Sequence, residues 1–370
     1  MSTTIAELAA QDCPWLMSPG EHRGVVVSSR IRLARTWAPY SFHRKLSRKR
    51  QQELTDRLLG HLADLGHGTA WQMQALSEVE RLALVERQVI SRELASAKRP
   101  GGVWLDDQAQ PMIAAMVNEE DHLRLQLIGP GLCLPLLLQR AVAFDQALEQ
   151  RVAWAADAQL GYLTACHTNL GTGLRASVML HLPALSETGE LKAVLRALGK
   201  LHLAVRGGHG EGTEPTGHTY QVSNARSLGS TEESYVSAIN DAVERVIAAE
   251  HLARAGLLEK ARTRLEDKVF RSWGVLRAAR SLSTEELSEH LSWVRLGTAL
   301  DVLSDSDWAI PARHRDQRWR VLDRLAVQGQ PAHVHLLHAH LLISGTVEFD
   351  SADRDRLRAA QVRALLTSEG

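Results

Sequence analysis

The stretch VVVSSRIRLAR, residues 25–35, decides how this chain is read. Its opening, 24–28, is rich in valine and reads as a strand. Arg30 and Arg32 follow directly. Two residues apart on an extended chain, they point to the same side. An arginine pair displayed at a strand end offers itself to an anion, and the sequence around it repeats the arrangement.

Further strand-like runs fall at 102–105, 112–117, 123–128, 162–166, 176–182, 202–206 and 219–223. Leu123, Leu125 and Leu127 alternate with polar residues, as on a half-buried strand. Leu54, Leu58, Leu62 and Leu65 line one helical face behind an N-cap at Ser47, and 136–152 and 191–201 read as helices. Beyond about 230 the strand signals stop. Ser230 with Glu233 and Ser283 with Glu286 fit capping boxes, and 232–258 reads as a long amphipathic helix. Most of 280–345 is helical in pattern, with a break near Pro311. The expected organisation is an N-terminal segment over 1–23, a mixed α+β domain over 24–250 and a helical domain over 251–370.

Composition narrows the function. Lys plus Arg and Asp plus Glu both number 43, so the formal net charge is zero. That argues against a general nucleic-acid or membrane-surface binder, although a local basic pocket remains compatible. The three cysteines, Cys13, Cys133 and Cys166, form neither a disulfide framework nor a CxxC pair. The N-terminus lacks a basic region followed by an apolar one, and the apolar run near 132–138 is interrupted by Pro135. The expectation is a soluble protein of a reducing cytoplasm.

Five arginines sit at strand ends or in glycine-rich connections: Arg30, Arg32, Arg124 in NEEDHLRLQ, Arg175 in GTGLRASV and Arg206 in VRGGHGEG. NLGTGLRAS, 169–177, has the glycines of a phosphate loop but lacks its lysine. Converging arginine forks with magnesium would neutralise a nucleotide instead. Taken singly, each arginine also fits a solvated face. Glu119, Glu120 and Asp121 stand in a row, and Glu211 and Glu214 follow the second glycine turn. Such acids read either as solvated loops or as carboxylates facing a cationic substrate. Cys166, beside His167, reads either as a buried small hydrophobe or as a reactive thiolate.

SSRIRLAR, NEEDHLR, CHTNLGTGLRASV and RGGHGEG occur in this order across 28–214. Together they resemble the ATP:guanidino phosphotransferases, which comprise the creatine and arginine kinases and the bacterial protein arginine kinases. RASVMLHLPAL, LEDKVFRSWG at 265–274, VRLG at 294–297 and the run Arg354-Asp355-Arg356-Leu357-Arg358-Ala359 resemble the bacterial branch. SSRIR begins at residue 28, leaving no room for the helical domain that precedes it in the metabolite kinases.

The resemblance implies an α+β fold: an antiparallel sheet flanked by helices (the phosphagen-kinase catalytic domain, glutamine-synthetase-like), then an all-helical C-terminal domain for dimerisation and regulation. It implies that Arg30, Arg32, Arg124, Arg175 and Arg206 meet the ATP phosphates. Ser28, Ser29 and Ile31 would join them, as would Ala176, Ser177, Val178 and Met179, and Gly207, Gly208, His209, Gly210 and Glu211. Glu120 and Glu211 would hold the guanidinium, and Cys166 would contact it. Residues 354–359 would form a regulatory phosphoarginine pocket. The family places proline after the pocket cysteine, where this chain has His167. It tends to place histidine near the adenine, where Gln88 stands here, and His209 occupies a glycine turn that requires no histidine.

The implied activity is transfer of the ATP γ-phosphate, with Mg2+ carried by the nucleotide and no protein metal ligands, to arginine side chains in proteins. Implied partners are proteins with exposed arginines, a Clp ATPase or protease and an activator protein, with no nucleic acid or membrane. A homodimer is expected. The alternatives are a free-arginine kinase, which makes a phosphagen, and a non-catalytic adaptor that binds phosphoarginine proteins.

Overall fold

The computed structural model describes residues 3–17, 20–207, 217–308, 314–343 and 350–367. The break expected near Pro311 lies outside them. Among the described residues ten strands are formed: β1 Val26–Arg35, β2 Thr69–Gln72, β3 Gly102–Asp106, β4 Met112–Val117, β5 Leu123–Pro130, β6 Ala156–Asp157, β7 Gly161–Tyr162, β8 Leu174–His181, β9 Leu203–Gly207 and β10 Thr219–Asn224. Eight make one antiparallel sheet in the order β2-β3-β4-β5-β1-β8-β10-β9, and β6 pairs with β7. The expected α+β class and helix-flanked antiparallel sheet are therefore present.

Two expected strands change. The run at 24–28 continues through the arginines to Arg35, so Arg30 and Arg32 lie within the central strand rather than after it. The expected strand at 162–166 shortens to Gly161–Tyr162. Its remainder turns to meet other groups, with Leu163 N–H donating to Ala155 O and Ala165 N–H to Asp121 Oδ1.

Strand alternation assigns the two sheet faces. Ile31, Leu33, Leu125, Leu127, Ala176 and Val178 are buried against helices Arg48–Ala63, Leu134–Glu149 and Glu232–Lys260. On the opposite face, Val103, Leu105, Ala114, Met116 and Ile128 pack against the N-terminal residues Ile5, Leu8 and Trp15. Leu84, Val327 and Ala332 close this second core. Among the described residues nothing covers the middle of that face, which forms a cleft.

Helix starts follow their caps. Ser47 accepts from Arg50 N–H at the start of Arg48–Ala63. Ser283 and Glu286 make the expected box before Thr284–Ala299. The long helix starts at Glu232 as expected, but its cap is Thr231 rather than Ser230, accepting from Ser234 N–H. The following helices are Arg262–Ala278, Thr284–Ala299, Arg315–Gln328, Pro331–Leu337, Ala339–Ile343 and Ser351–Thr367.

One ion cluster joins the helices to the sheet. Buried Asp323 accepts from Arg23 Nη2 at 3.1 Å and pairs with Arg295. The Trp319 ring lies 5.9 Å from the Arg23 guanidinium carbon and 5.2 Å from that of Arg295. Removing the carboxylate leaves Arg295 largely shielded from water without its counter-charge, and Arg23 with only the longer pairing to exposed Asp316 at 3.5 Å. Asp323→Ala therefore lowers the unfolding free energy by about 3–5 kcal/mol, as measured by urea denaturation.

Candidate active site

The register of the sheet brings the expected arginines together. Across β1, Arg30 pairs with Ile128 and Ser177, Arg32 with Gln126 and Arg175, and Ala34 with Arg124. Farther out, Met179 pairs with Gln221, which pairs with Arg206. Residues opposite one another in a ladder share a face. Hence Arg30, Arg32, Arg124, Arg175 and Arg206 all lie on the uncovered face, and all line the cleft, whose volume is about 2480 Å³.

Burial makes this arginine group unusual. Arg30 Nε donates to Ser177 Oγ at 3.4 Å, and Arg175 Nη2 donates to Ser223 Oγ at 3.2 Å. Burial, then repulsion from Arg175 and Arg124, pulls the Arg30 pKa down to about 10. Burial and the neighbouring arginines pull Arg32 well below the usual range, and its Nε is buried without a hydrogen-bond partner. Charges shielded from water are ordinarily compensated, so guanidinium groups arranged in this way can seat a polyanion.

The acid turn lies at the start of β5. Asn118 has φ of 57°, and its N–H donates to His122 O at 2.9 Å, closing the turn. Arg124 reaches back into it with Nη1 to Glu119 Oε1 and Nη2 to Glu120 Oε2, both at 2.9 Å. Glu119 is buried and also accepts from Ser91 Oγ at 2.7 Å. Glu120 keeps 40% of its side chain exposed and lines the cleft. Asp121 accepts from Ala165 N–H at 2.6 Å and from Asn169 Nδ2 at 3.4 Å. Burial outweighs these donors and pushes its pKa up to about 6.

The turn 163–173 crosses above. Cys166 is half-buried and lines the cleft, with Sγ 3.0 Å from Thr168 Oγ1. Asn169 Nδ2 lies 3.4 Å from Glu120 Oε2, linking this turn to the acids. His167 is exposed.

Gly171 and Gly173 have φ of 106° and 67°, and their lack of a side chain serves the protein itself. A Cβ on Gly171 would lie 2.5 Å from Ser227 O, and one on Gly173 2.5 Å from Ala34 O. Arg35, at the end of β1, fastens the turn from below. Its Nη1 donates to Thr172 O at 3.0 Å, and its Nε and Nη2 donate to Asp145 Oδ2 at 2.9 and 2.7 Å.

The remaining expected residues divide clearly. Ser177 and Met179 share the arginine face. Ile31, Ala176 and Val178 are buried among the helices behind the sheet. Ser29 is also turned from the cleft: its hydroxyl donates to Gly131 O at 2.7 Å and accepts from Cys133 N–H at 3.1 Å. Ser28 is buried beside the register shift that starts β1. Gly207 ends β9, whereas Gly208, His209, Gly210 and Glu211 lie outside the described residues. Gln88 lines the cleft at φ of 61°, its carbonyl accepting from Gln126 Nε2 at 2.6 Å.

The 354–359 motif lies on helix Ser351–Thr367. Arg358 is fully buried there, donating to Gly329 O at 2.6 Å and Leu282 O at 2.7 Å and pairing with Asp355. It joins three segments of the helical region. Arg356 is exposed and pairs with Asp353. Leu357 is half-buried, and Ala359 belongs to the core.

Sequence reasoning missed Glu119, Ser223, Asn169 and Arg35. The three-acid run held the signal for Glu119, since one carboxylate of such a run can turn inward only with an arginine to receive it. The others depend on pairing between distant segments.

The profile of the ATP:guanido phosphotransferase C-terminal catalytic domain matches residues 50–253, and that of the protein-arginine kinase McsB C-terminal domain matches 262–370. A protein-arginine kinase from Halalkalibacterium halodurans is 37% identical over 360 residues, covering 96% of each chain. One from Moorella thermoacetica is 40% identical over 359 residues, covering 95% of this chain and 97% of its own. Among solved structures, the substrate-free duplicated taurocyamine kinase of Schistosoma mansoni aligns with a TM-score of 0.54 and 26% identity. That match covers 78% of this chain and 42% of the duplicated one. Lombricine kinase shares the fold, with a TM-score of 0.56 and 24% identity over 69% of this chain and 72% of its own. An arginine-lined sheet face opposite a carboxylate turn, on a sequence that matches both family domains, places the chain in the ATP:guanido phosphotransferase family, in the branch of the protein-arginine kinases.

Proposed function

We propose that this protein transfers the γ-phosphoryl group of ATP to the guanidinium of arginine residues in other proteins, giving phosphoarginine. The observation that carries the reading is the pairing of two opposite sites in one cleft. Arg30 and Arg32 are half-buried and, among the described residues, make no ion pair with a carboxylate, while Glu120 presents a carboxylate to the same cleft.

Phosphoryl transfer needs alignment and charge stabilisation more than covalent chemistry from the protein. Arg30, Arg32, Arg124, Arg175 and Arg206 would hold the triphosphate, already fixed before the charge moves. Magnesium would arrive with the nucleotide. Glu120 would grip the acceptor guanidinium, turn one nitrogen to the γ-phosphorus and accept its proton as the N–P bond forms. Glu211 would be its counterpart. Cys166 would contact the guanidinium from the crossing turn, without a covalent intermediate. Gln88 sits where it could meet the base.

The further roles belong to the same proposal: marking proteins for Clp-type degradation, a homodimer, a cytoplasmic setting, an activator partner and a phosphoarginine-sensitive 354–359 motif. For that motif to receive a phosphate, Arg358 would have to exchange its carbonyl partners for the ligand.

Incubation with Mg-ATP and casein tests the activity, with phosphate mapped by mass spectrometry under conditions that preserve the acid-labile N–P bond. Phosphate on arginine side chains is expected. Transfer only to free arginine would instead establish a phosphagen kinase. Loss of the proton acceptor in Glu120→Gln lowers kcat by about 10²–10⁴-fold while ATP still binds. Arg32→Ala removes a donor aimed at the phosphates and lowers kcat by about 10²–10³-fold. Asp121, ionised above its pKa of about 6 and neutral below, loses its hold on Ala165 and Asn169 as pH falls. The pH–rate profile therefore has an acid limb near that value, and Asp121→Asn abolishes the limb.

A further inference from the structure

We propose that the loop 40–46, with Lys49 and Lys98, forms a basic docking rim beside Glu120 that selects protein segments carrying acidic residues next to the acceptor arginine. The inference rests on the reading of the chain as a kinase acting on proteins. It concerns which segments of those proteins the cleft accepts.

The loop is attached to the acid turn by a histidine. Trp37 N–H donates to His122 Nδ1 at 3.0 Å, and His122 Nε2 donates to Ser41 O at 3.1 Å. Burial holds the His122 pKa down to about 4, so the ring stays neutral with one nitrogen accepting and the other donating. The His43 ring lies against the Glu120 backbone. From the helix behind, Gln51 Nε2 donates to His43 O at 2.9 Å and Leu46 O at 3.2 Å. The loop is thus fixed at the acceptor end of the cleft.

Its outward side chains are one-signed. Arg44, Lys45, Lys49 and Lys98 are exposed, and among the described residues none has an ion-pair partner. Arg48 Nη1 donates to Lys98 O at 3.3 Å, which ties the start of helix Arg48–Ala63 to the Lys98 segment. Arg44 and Lys98 line the same cleft as Glu120. Phe42, 38% exposed on the same loop, adds an apolar contact. The acids nearby do not cancel the rim. Glu53 is engaged by Arg50 at 2.9 Å and Arg57 at 3.7 Å, while Glu78 and Glu93 line a stretch of the cleft that also carries Arg81, Arg92 and Arg99.

The order of charges identifies the occupant. Moving outward from the acid turn, the surface is negative at Glu120 and then positive along the rim. A peptide with a central arginine between acidic residues matches that order. A nucleic acid does not, because its evenly spaced phosphates would be brought against Glu120. Rim charges act mainly through encounter rate and salt dependence.

The test uses the full-length protein and three peptides of one length, each with a single arginine flanked by Asp and Glu, by Gly and Ser, or by Lys. kcat/KM is measured at about 50 mM and about 300 mM salt, across which screening strengthens. In the wild type, the acidic peptide is expected to exceed the neutral one by about tenfold at low salt, each rim charge contributing about 1.4- to 5-fold. The preference shrinks at high salt. It reverses in the variant Arg44→Glu, Lys45→Glu, Lys49→Glu, Lys98→Glu, which keeps its KM for ATP and its rate on the neutral peptide within about threefold. Equal rates on all three peptides, or a preference untouched by the variant, overturn the rim while leaving the kinase intact. Absence of arginine phosphorylation on every peptide and on casein overturns the kinase reading and the rim with it.

Discussion

Like charges gathered on one face of a sheet, inside a cleft, repel, and the site is arranged around that repulsion. Arg30 and Arg32 share a face with Arg124 and Arg175 on the strands either side, where facing Cα atoms stand about 4.5–5.5 Å apart. Arg124 is relieved by Glu119 and Glu120. Among the described residues neither Arg30 nor Arg32 makes an ion pair, and only Glu119, at a distance, offsets the charge of Arg32. The opposing stabilisation comes from behind the sheet, where Ile31 and Leu33 of the same strand are fully buried. Each contributes about 1.5–3 kcal/mol. The strand therefore has two chemistries, one that folds it and one that waits for an anion. Guanidinium groups held this way need no rearrangement when negative charge moves through the cleft.

The helical region completes that face rather than hanging from it. Val327 and Ala332 close the apolar core beside the cleft. Glu86 reaches from helix Glu78–Glu86 to the N-terminus of Pro331–Leu337, accepting from Ala332 N–H at 2.8 Å and His333 N–H at 3.0 Å. Two residues later stands Gln88, in the cleft itself. At the other end, Ser292 Oγ lies 2.7 Å from both His181 Nε2 and His218 Nδ1. The cleft is thereby built from both regions of the chain, and Arg358 binds the far helix to the same framework through Gly329 and Leu282.

The fold was readable where the sequence obeys one period. Capped helices such as Arg48–Ala63 and Thr284–Ala299, and alternating β5, match their expected positions closely. The central strand was cut short at Ser28 because charged residues interrupt its apolar run, although a strand with one face in a cleft can carry them. The candidate site was readable as residue types and motif order, which is how the five arginines and Glu120 were found. What local pattern hides is direction. Ser29, Ile31, Ala176 and Val178 belong to matching motifs yet face the helices, because alternation turns every second residue away. Glycines 171 and 173 look like phosphate ligands in sequence, but their φ angles and close neighbours answer to Ser227 and Ala34. Such facts depend on segments more than fifty residues apart.

The period-two division of β1 also limits how this chain can vary. One residue added or removed within Val26–Arg35 would carry arginines among the helices and isoleucine and leucine into the cleft. A substitution alters one side chain, whereas a single-residue indel exchanges the roles of both faces at once. A change of length is therefore far more disruptive within this strand than in a connecting loop. The register shift between Val26 and Ser28 marks where the ladder already accommodates an irregularity, ahead of the first arginine.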